Sequence, residues 1–345
     1  MNVTISEGWN RYLDLFKPDQ TDIYYTEEYV RLYETAADTA LSVICTEGDR
    51  VTLMPFLRRK IGAFYDFETA YGYGGPISST DSEEWTGRSL DAIRDHMGAN
   101  GYLCGFMRFH PLIGNAAMCR EKIDVLYDRK TVCIDLTPSE EDIWAHQITS
   151  KNRNMIRKAE KSGLLFRAEY DYSSMDEFIG LYNSTMERLK AESFYFFDDK
   201  YFETYIKNLS GKGFLGTVTL GDKIIGAALF MMHGEYGHYH LAGSNRDYSS
   251  LGINNFLLWN TAVEMKKHGI SAFHLGGGTT SDPDDPLLKF KHSFSGNEKD
   301  FCIGKWIFNE EAYRDICAKW ENEHPGLKPV FGNRLLKYRY TEEDL

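Results

Sequence analysis

The chain of 345 residues has no apolar run long enough to span a bilayer. Its longest, Ile224–Met232, has the length of a buried strand. The first residues, MNVTISEGWNRYLDLF, lack a basic stretch followed by an apolar block, so no secretory signal is expected. Cysteine is sparse: six residues, none in a C-x-x-C pair and several within apolar, strand-like runs. That usage excludes a disulfide scaffold and fits free thiols in a reducing compartment. Positive charge is in deficit, with 39 Lys and Arg against 51 Asp and Glu and a net charge of −12. Phosphate contacts dominate nucleic-acid affinity, so DNA is not an expected partner, although a local basic patch is still allowed. These absences predict a soluble, cytoplasmic protein, compatible with a peripheral place at the inner face of a membrane.

Aromatic residues are abundant, with 22 Tyr, 21 Phe and 6 Trp. A chain of this length with that content can bury two cores, so two domains are the natural expectation. The pattern predicts a helix over 27–35, strands over 42–45 and 50–57, an aromatic strand running into a Gly-rich bend over 66–76, and a helix over 82–97. A capped helical segment starts near Thr137-Pro138-Ser139-Glu140, breaks near Thr149 and stops at Gly163. Two helices, a three-strand meander over 214–242, a long helix over 251–268 and a strand ending at Leu275 follow. Cys45–Val51 is similar to Val218–Ile224: both set a Gly-Asp turn and a basic residue between apolar strands. This faint repeat suggests a duplicated α/β fold.

The most informative stretch is His274–Gly296, HLGGGTTSDPDDPLLKFKHSFSG. Three glycines, Gly276, Gly277 and Gly278, end a short apolar strand, and backbone N–H groups in such a loop can approach a ligand closely. A lysine soon after can set a positive charge where an anion forms, as acyl transfer requires. A basic run in an acidic chain, Lys151, Arg153, Arg157, Lys158 and Lys161, places Arg153, Arg157 and Lys161 on one helix face, where diphosphate could be received. Tyr71 and Tyr73 alternate with glycines and offer ring faces for a sugar and hydroxyls for phosphate. His238 and His240 share a strand face, and Asp282, Asp284 and Asp285 sit in a turn; neither group has enough ligands at suitable spacing, and no metal is expected. Ser244 is not in a G-x-S-x-G elbow, and the glycines do not form a P-loop, so a serine hydrolase and a P-loop NTPase are excluded.

Tyr71–Pro76 (YGYGGP), Lys151–Gly163 (KNRNMIRKAEKSG), Tyr239–Ser244 (YHLAGS) and Phe290-Lys291 together resemble the FemAB-like branch of the GNAT acyltransferase superfamily. The resemblance implies an α/β fold of tandem, duplicated GNAT-like domains, each a mixed, mostly antiparallel sheet flanked by helices. The expected division is residues 1–150 and 151–345, with the catalytic loop in the second. It implies an N-acyltransferase that moves an acyl or aminoacyl group onto a primary amine of a cell-envelope precursor or amino sugar by direct attack. Lys291 would stabilise the oxyanion (Lys289 is its neighbour and rival), and Tyr239 or His240 would lie near the reacting amine. Tyr71 and Tyr73 would line the acceptor cleft.

The usual GNAT pyrophosphate loop, R/Q-x-x-G-x-G/A, corresponds here to Arg246–Gly252, RDYSSLG. Arg246 is retained, but the glycine spacing differs and Tyr248 intrudes. No cofactor is expected to be tightly bound. Acyl-CoA and aminoacyl-tRNA both stand as co-substrates, the latter making tRNA a partner and a peptidoglycan precursor the acceptor. A non-catalytic module binding a nucleotide-sugar or glycan is the remaining alternative. Oligomeric state is not legible.

Overall fold

A computed structural model describes residues 1–345, the Ser193 side chain excepted. Its strands, among the described residues and in chain order, are β1 (Asn2–Ser6), β2 (Asp38–Glu47), β3 (Arg50–Ile61), β4 (Phe64–Glu68), β5 (Ile77–Ser78), β6 (Tyr102–Arg108), β7 (Asp124–Asp135), β8 (Leu164–Glu169), β9 (Gly213–Leu220), β10 (Lys223–His233), β11 (Tyr236–Ser244), β12 (Ala272–Gly277) and β13 (Glu298–Ile307). The chain divides into two compact units. The first holds Met1–Gln20, Tyr24–Asp128 and Phe301–Leu345; the second holds Thr21–Ile23 and Arg129–Asp300.

Each unit is built to the same plan. In the first, strands lie in the order β1-β2-β3-β4-β6-β13, with β5 beside β3. In the second, the order is β8-β9-β10-β11-β12-β7. All neighbours within each sheet are antiparallel except one pair: β4 with β6 in the first, β11 with β12 in the second. Parallel neighbours need a crossover. The helices Glu83–Ala99 and Ile253–Lys267 supply it at equivalent points. The equivalent hairpins turn at Gly48-Asp49 and Gly221-Asp222, where both glycines take the positive φ the turn demands.

In each sheet the sixth strand arrives from outside the run of the other five. β13 comes from the end of the chain, and β7 precedes β8, the first strand of its own sheet. The division therefore differs from the expected boundary at residue 150: the second unit takes up the chain at Arg129, and Phe301–Leu345 return to the first. Hydrophobic pattern locates strands, but it does not say which sheet receives a strand at the end of a long connection.

Local departures are small. The helix expected over 27–35 tightens into a 3-10 turn at Arg31–Tyr33 after one α-helical turn, Glu27–Val30. The aromatic strand expected from Asp66 ends at Glu68, and the expected Gly-rich bend follows it. The capped segment begins at Ser139, whose hydroxyl accepts from Asp142 N–H, while Thr137 is held by Asp135. It passes through a π-helical turn, Ile143–Gln147, before Thr149 caps the helix Ser150–Lys161.

One face of the second sheet buries Phe214, Phe230, Phe273 and Leu275 under the helices Ser150–Lys161 and Ile253–Lys267. The opposite face receives the helix Met175–Leu189, whose backbone comes so close at Leu181–Tyr182 that a Cβ at Gly243 would lie 2.4 Å from it. In the first unit the returning C-terminal segment is fixed by Arg339. Its guanidinium forks onto both carboxylate oxygens of the fully buried Asp66 and reaches Glu68 on the same strand.

Candidate active site

β11 and β12 run side by side only through the pairs Tyr236–Ala272, Gly237–Phe273 and His238–His274. Beyond them β11 continues to Ser244 along β10, and β12 continues to Gly277 along β7. The facing edges therefore part at the two histidines. Backbone N–H and C=O groups along a parted edge are no longer matched strand to strand, and an inserted chain or ligand amide can take them up. The fork is not repeated in the first unit. There β4 and β6 stay paired from Tyr65–Tyr102 to Glu68–Phe106. Hydrogen bonds from Thr69 N–H to the Phe106 carbonyl and from Arg108 N–H to the Thr69 hydroxyl extend the pairing, and a bridge joins Gly74 to Phe109. The Phe67 ring sits where a side chain on Gly105 would be, 2.0 Å from the position of its Cβ.

Lys291 stands at the open end of β12. It is carried by the helix Pro286–His292, which Asp285 starts. One carboxylate oxygen of Asp285 accepts from Leu287 and Leu288 N–H, and the other accepts from Thr279 and Thr280, folding the intervening loop back on the helix. Burial alone would raise the Asp285 pKa; the donors around it hold it well below the usual carboxylate range. The Lys291 side chain is buried, and its ammonium donates to the Gly277 carbonyl at 2.6 Å. Burial pulls its pKa down to about 7, against the opposing charge of Asp285. One of three ammonium donors is thus spent on Gly277, leaving two. Lys289, by contrast, is exposed and paired with Asp284 at 2.8 Å.

The three glycines have packing reasons of their own. Gly276 takes φ +76°. A Cβ on Gly277 would lie 2.8 Å from the Lys130 carbonyl, and one on Gly278 would lie 2.6 Å from the Asp285 carboxylate. Tyr239 and His240 are separated rather than joined. Tyr239 stacks on Phe230 within the core cluster. His240 is the extra residue of a bulge in β11 and, by strand alternation, points to the face opposite Tyr239. There its Nε2 meets the Tyr201 hydroxyl at 2.8 Å and its ring stacks on Tyr205. Burial, with His238 adding to it, lowers the His240 pKa to about 3 and keeps the imidazole neutral.

The basic stripe is not one surface. Arg153 gives its guanidinium to the carbonyls of Trp144, Ala145 and Ile148, closing the end of the π-helical turn. Those bonds oppose the phosphate contact expected of it. Arg157 is exposed and lies over the Trp144 ring, Lys161 is exposed, and Lys158 holds the Ser250 carbonyl. Arg246 is exposed at the start of the 3-10 turn Arg246–Leu251, just before the helix that opens at Ile253. In the first unit, Tyr73 meets Tyr24 and His110 edge-on, and Tyr71 lies by Tyr33 while its carbonyl accepts from Tyr29. Sequence reading passed over Tyr201 and Asp22. Tyr201 lies in an amphipathic helix as an ordinary core aromatic. Asp22 reaches His238 across a separation of 216 residues, which no local pattern records.

Residues 149–291, which include the fork, the helix that follows it and Lys291, match the acetyltransferase (GNAT) domain family. Three solved structures share the fold. FemX aligns at TM-score 0.73 and 15% identity, over 91% of this chain and 99% of its own. The C-terminal domain (DUF2156) of a protein described as a lysylphosphatidylglycerol synthetase, from Agrobacterium fabrum, aligns at 0.57 and 14%, over 92% and 96%. A tandem GNAT protein from the clavulanic acid biosynthesis pathway aligns at 0.50 and 9%, over 89% and 99%. No curated protein is significantly similar in sequence. No helix among the described residues is long and apolar enough to cross a membrane. Residues 149–291 thus match the GNAT acetyltransferase domain family, and the chain as a whole shares the fold of FemX and of a tandem GNAT protein.

Proposed function

We propose that the second unit moves an acyl or aminoacyl group from an activated ester or thioester onto a primary amine of a cell-envelope precursor or amino sugar. The observation that carries this reading is a buried lysine fixed at the mouth of the β11–β12 fork. The donor's chain lies in the fork, where the parted strand edges take up its amide groups. Its carbonyl oxygen points toward Lys291, whose two remaining ammonium hydrogens meet the charge that grows there. The acceptor amine attacks directly, so no covalent enzyme intermediate forms.

Arg157, Lys161 and Arg246 are the exposed cations available for phosphates of either substrate. Gly276, Gly277 and Gly278 bring backbone close to the reacting group, and Gly277 also anchors the lysine. Fold likeness to FemX and to a lysylphosphatidylglycerol synthetase domain supports an envelope or lipid precursor as acceptor. The departure at Arg246–Gly252 keeps two donors in play, acyl-CoA and aminoacyl-tRNA.

The test is to incubate the protein with acyl-CoA or charged tRNA and a panel of UDP-amino sugars and lipid-linked sugars. Mass spectrometry then searches for a new amide on the acceptor. Ribonuclease added beforehand abolishes the product only if tRNA carries the acyl group. Acceptors that bind but are never acylated by any donor would replace this reading with a binding module.

A further inference from the structure

The two sheets correspond strand by strand, counted from their matched turns. Gly48-Asp49 and Gly221-Asp222 set the register, and a bulge in β10 adds one residue after Ile224. Arg58 then corresponds to Met232 and Leu41 to Phe214. Glu7, just after β1, corresponds to Tyr170, just after β8. The crossover helices also end alike. Asn100 and His268 cap them, and each is followed by a glycine of positive φ and then by Tyr102 or Ile270. At this end of the second unit, where the parallel pair begins, side chains close the structure. Tyr170 packs on Phe214, and its hydroxyl meets Glu264 at 2.8 Å and His268 at 2.6 Å. Ile270 is in the core cluster and Met232 packs against it.

The same end of the first unit is open. A pocket of about 310 Å³ lies there, with Ile5, Leu41 and Tyr102 in its wall and two charged side chains, Glu7 and Arg58, beside them. Arg58 is half-buried, and its guanidinium lies over the Tyr65 ring at 4.8 Å. Other arginines of this unit have carboxylates: Arg59 pairs with Asp38, Arg108 with Glu68 and Arg339 with Asp66. Among the described residues, no carboxylate pairs with Arg58 and no cation pairs with Glu7. Tyr102 is 2% exposed, and its hydroxyl lies beside Arg58 without a hydrogen bond of good geometry among the described residues. Burial pushes its pKa up to about 12 against the pull of Arg58, so the hydroxyl stays protonated and able to donate.

A half-buried guanidinium without a counter-charge is costly to hold. With one face on Tyr65, its planar N–H edge suits a carboxylate. The rest of the charge in the pocket is negative. Glu7 is at the exposed rim, and the helix Glu83–Ala99 ends at Asn100, which lines the pocket, so the partial negative charge of its C-terminal carbonyls lies there too. Both features favour an ammonium and oppose a phosphate dianion. The remaining wall is apolar, and the volume is at the small end for ligand pockets. We propose that the first unit binds a free α-amino acid with an apolar side chain in this pocket. Arg58 takes its carboxylate with the Tyr102 hydroxyl beside it, Glu7 and the helix end take its ammonium, and Ile5 and Leu41 take its side chain. Binding there requires no acyl-transfer chemistry.

Calorimetric titration of the full chain tests this, with L-leucine, L-methionine and L-phenylalanine as probes. At least one should bind saturably with Kd below about 1 mM. The N-acetyl derivative of that probe lacks the ammonium and its amide lacks the carboxylate, and each should bind about tenfold more weakly or worse. Arg58→Met installs the residue found at the same place in the second unit and should weaken binding of the amino acid about tenfold or more. Glu7→Gln, at an exposed position, should weaken it about three- to tenfold and leave the N-acetyl derivative unaffected, a contrast that a merely structural role would not produce. No saturable binding of any of the three probes overturns the proposal, as does unchanged affinity in folded Arg58→Met. An N-acetyl derivative bound as tightly as its parent, or inorganic phosphate bound in preference to every amino acid, overturns it in favour of a plain anion site. Should Arg58→Met fail to fold, Glu7→Gln decides: affinity equal to wild type overturns the proposal.

Discussion

Lys291 meets two opposed demands. Burial beside the Gly277 carbonyl makes its charge effective on a nearby oxyanion, and the same burial makes that charge expensive to hold. Its pKa of about 7 sets the consequences. If the ammonium is the working form, transfer falls as pH rises through about 7, a loss read directly from a rate profile. Stability moves the other way. An unfolded lysine titrates near ~10.4, so above about 7 the unfolded chain binds the extra proton, and the folded state gains as pH rises toward that value. Lys291→Met should therefore raise the melting temperature most at about pH 6, with the gain fading toward about pH 10. A gain that grows with pH would show that the group is not buried as a cation.

At the scale of elements, the loop and short helix that deliver Lys291 depend on Asp285. The motif around it was legible: glycines, an acidic Pro-containing turn and a lysine in order. The sequence did not say which of Asp282, Asp284 and Asp285 caps the helix, because any of them suits a turn. Geometry selects Asp285, which collects four backbone or hydroxyl donors from the loop besides the helix N–H groups. Asp285→Ala should cost about 1–2 kcal/mol by loss of the cap. It should also lower activity through a loosened Lys291, while Asp284→Ala, which affects an exposed pair, leaves stability within about 0.5 kcal/mol. Thermal melts of both variants check the contrast. The fork itself was not legible. His238, Tyr239 and His240 read as a regular alternating strand, and neither the bulge at His240 nor the end of pairing at His274 leaves a mark in composition.

For the whole molecule, duplication could be read from one matched hairpin, Gly48-Asp49 against Gly221-Asp222, because turn chemistry is local. The exchange of sixth strands could not be read, since it depends on long connections. It predicts how the chain tolerates cutting. A fragment ending at residue 150 lacks β13 and the Arg339 anchor and should fail to fold cooperatively. Within the intact chain, Arg339→Met leaves the Asp66 carboxylate buried without its fork and should cost roughly 3–5 kcal/mol, seen as a lowered denaturation midpoint. The duplication is also unequal in use: strands zipped in the first unit are parted in the second, and a lysine stands at the gap.

That lysine gives the most direct test. The rate of amide formation by Lys291→Met and by wild-type protein should be compared with the same donor and acceptor at about pH 6.5, with folding checked by circular dichroism. A folded variant slowed by about 100- to 1000-fold in kcat, with substrate binding retained, is the predicted result. A variant within a few-fold of wild type would contradict the account.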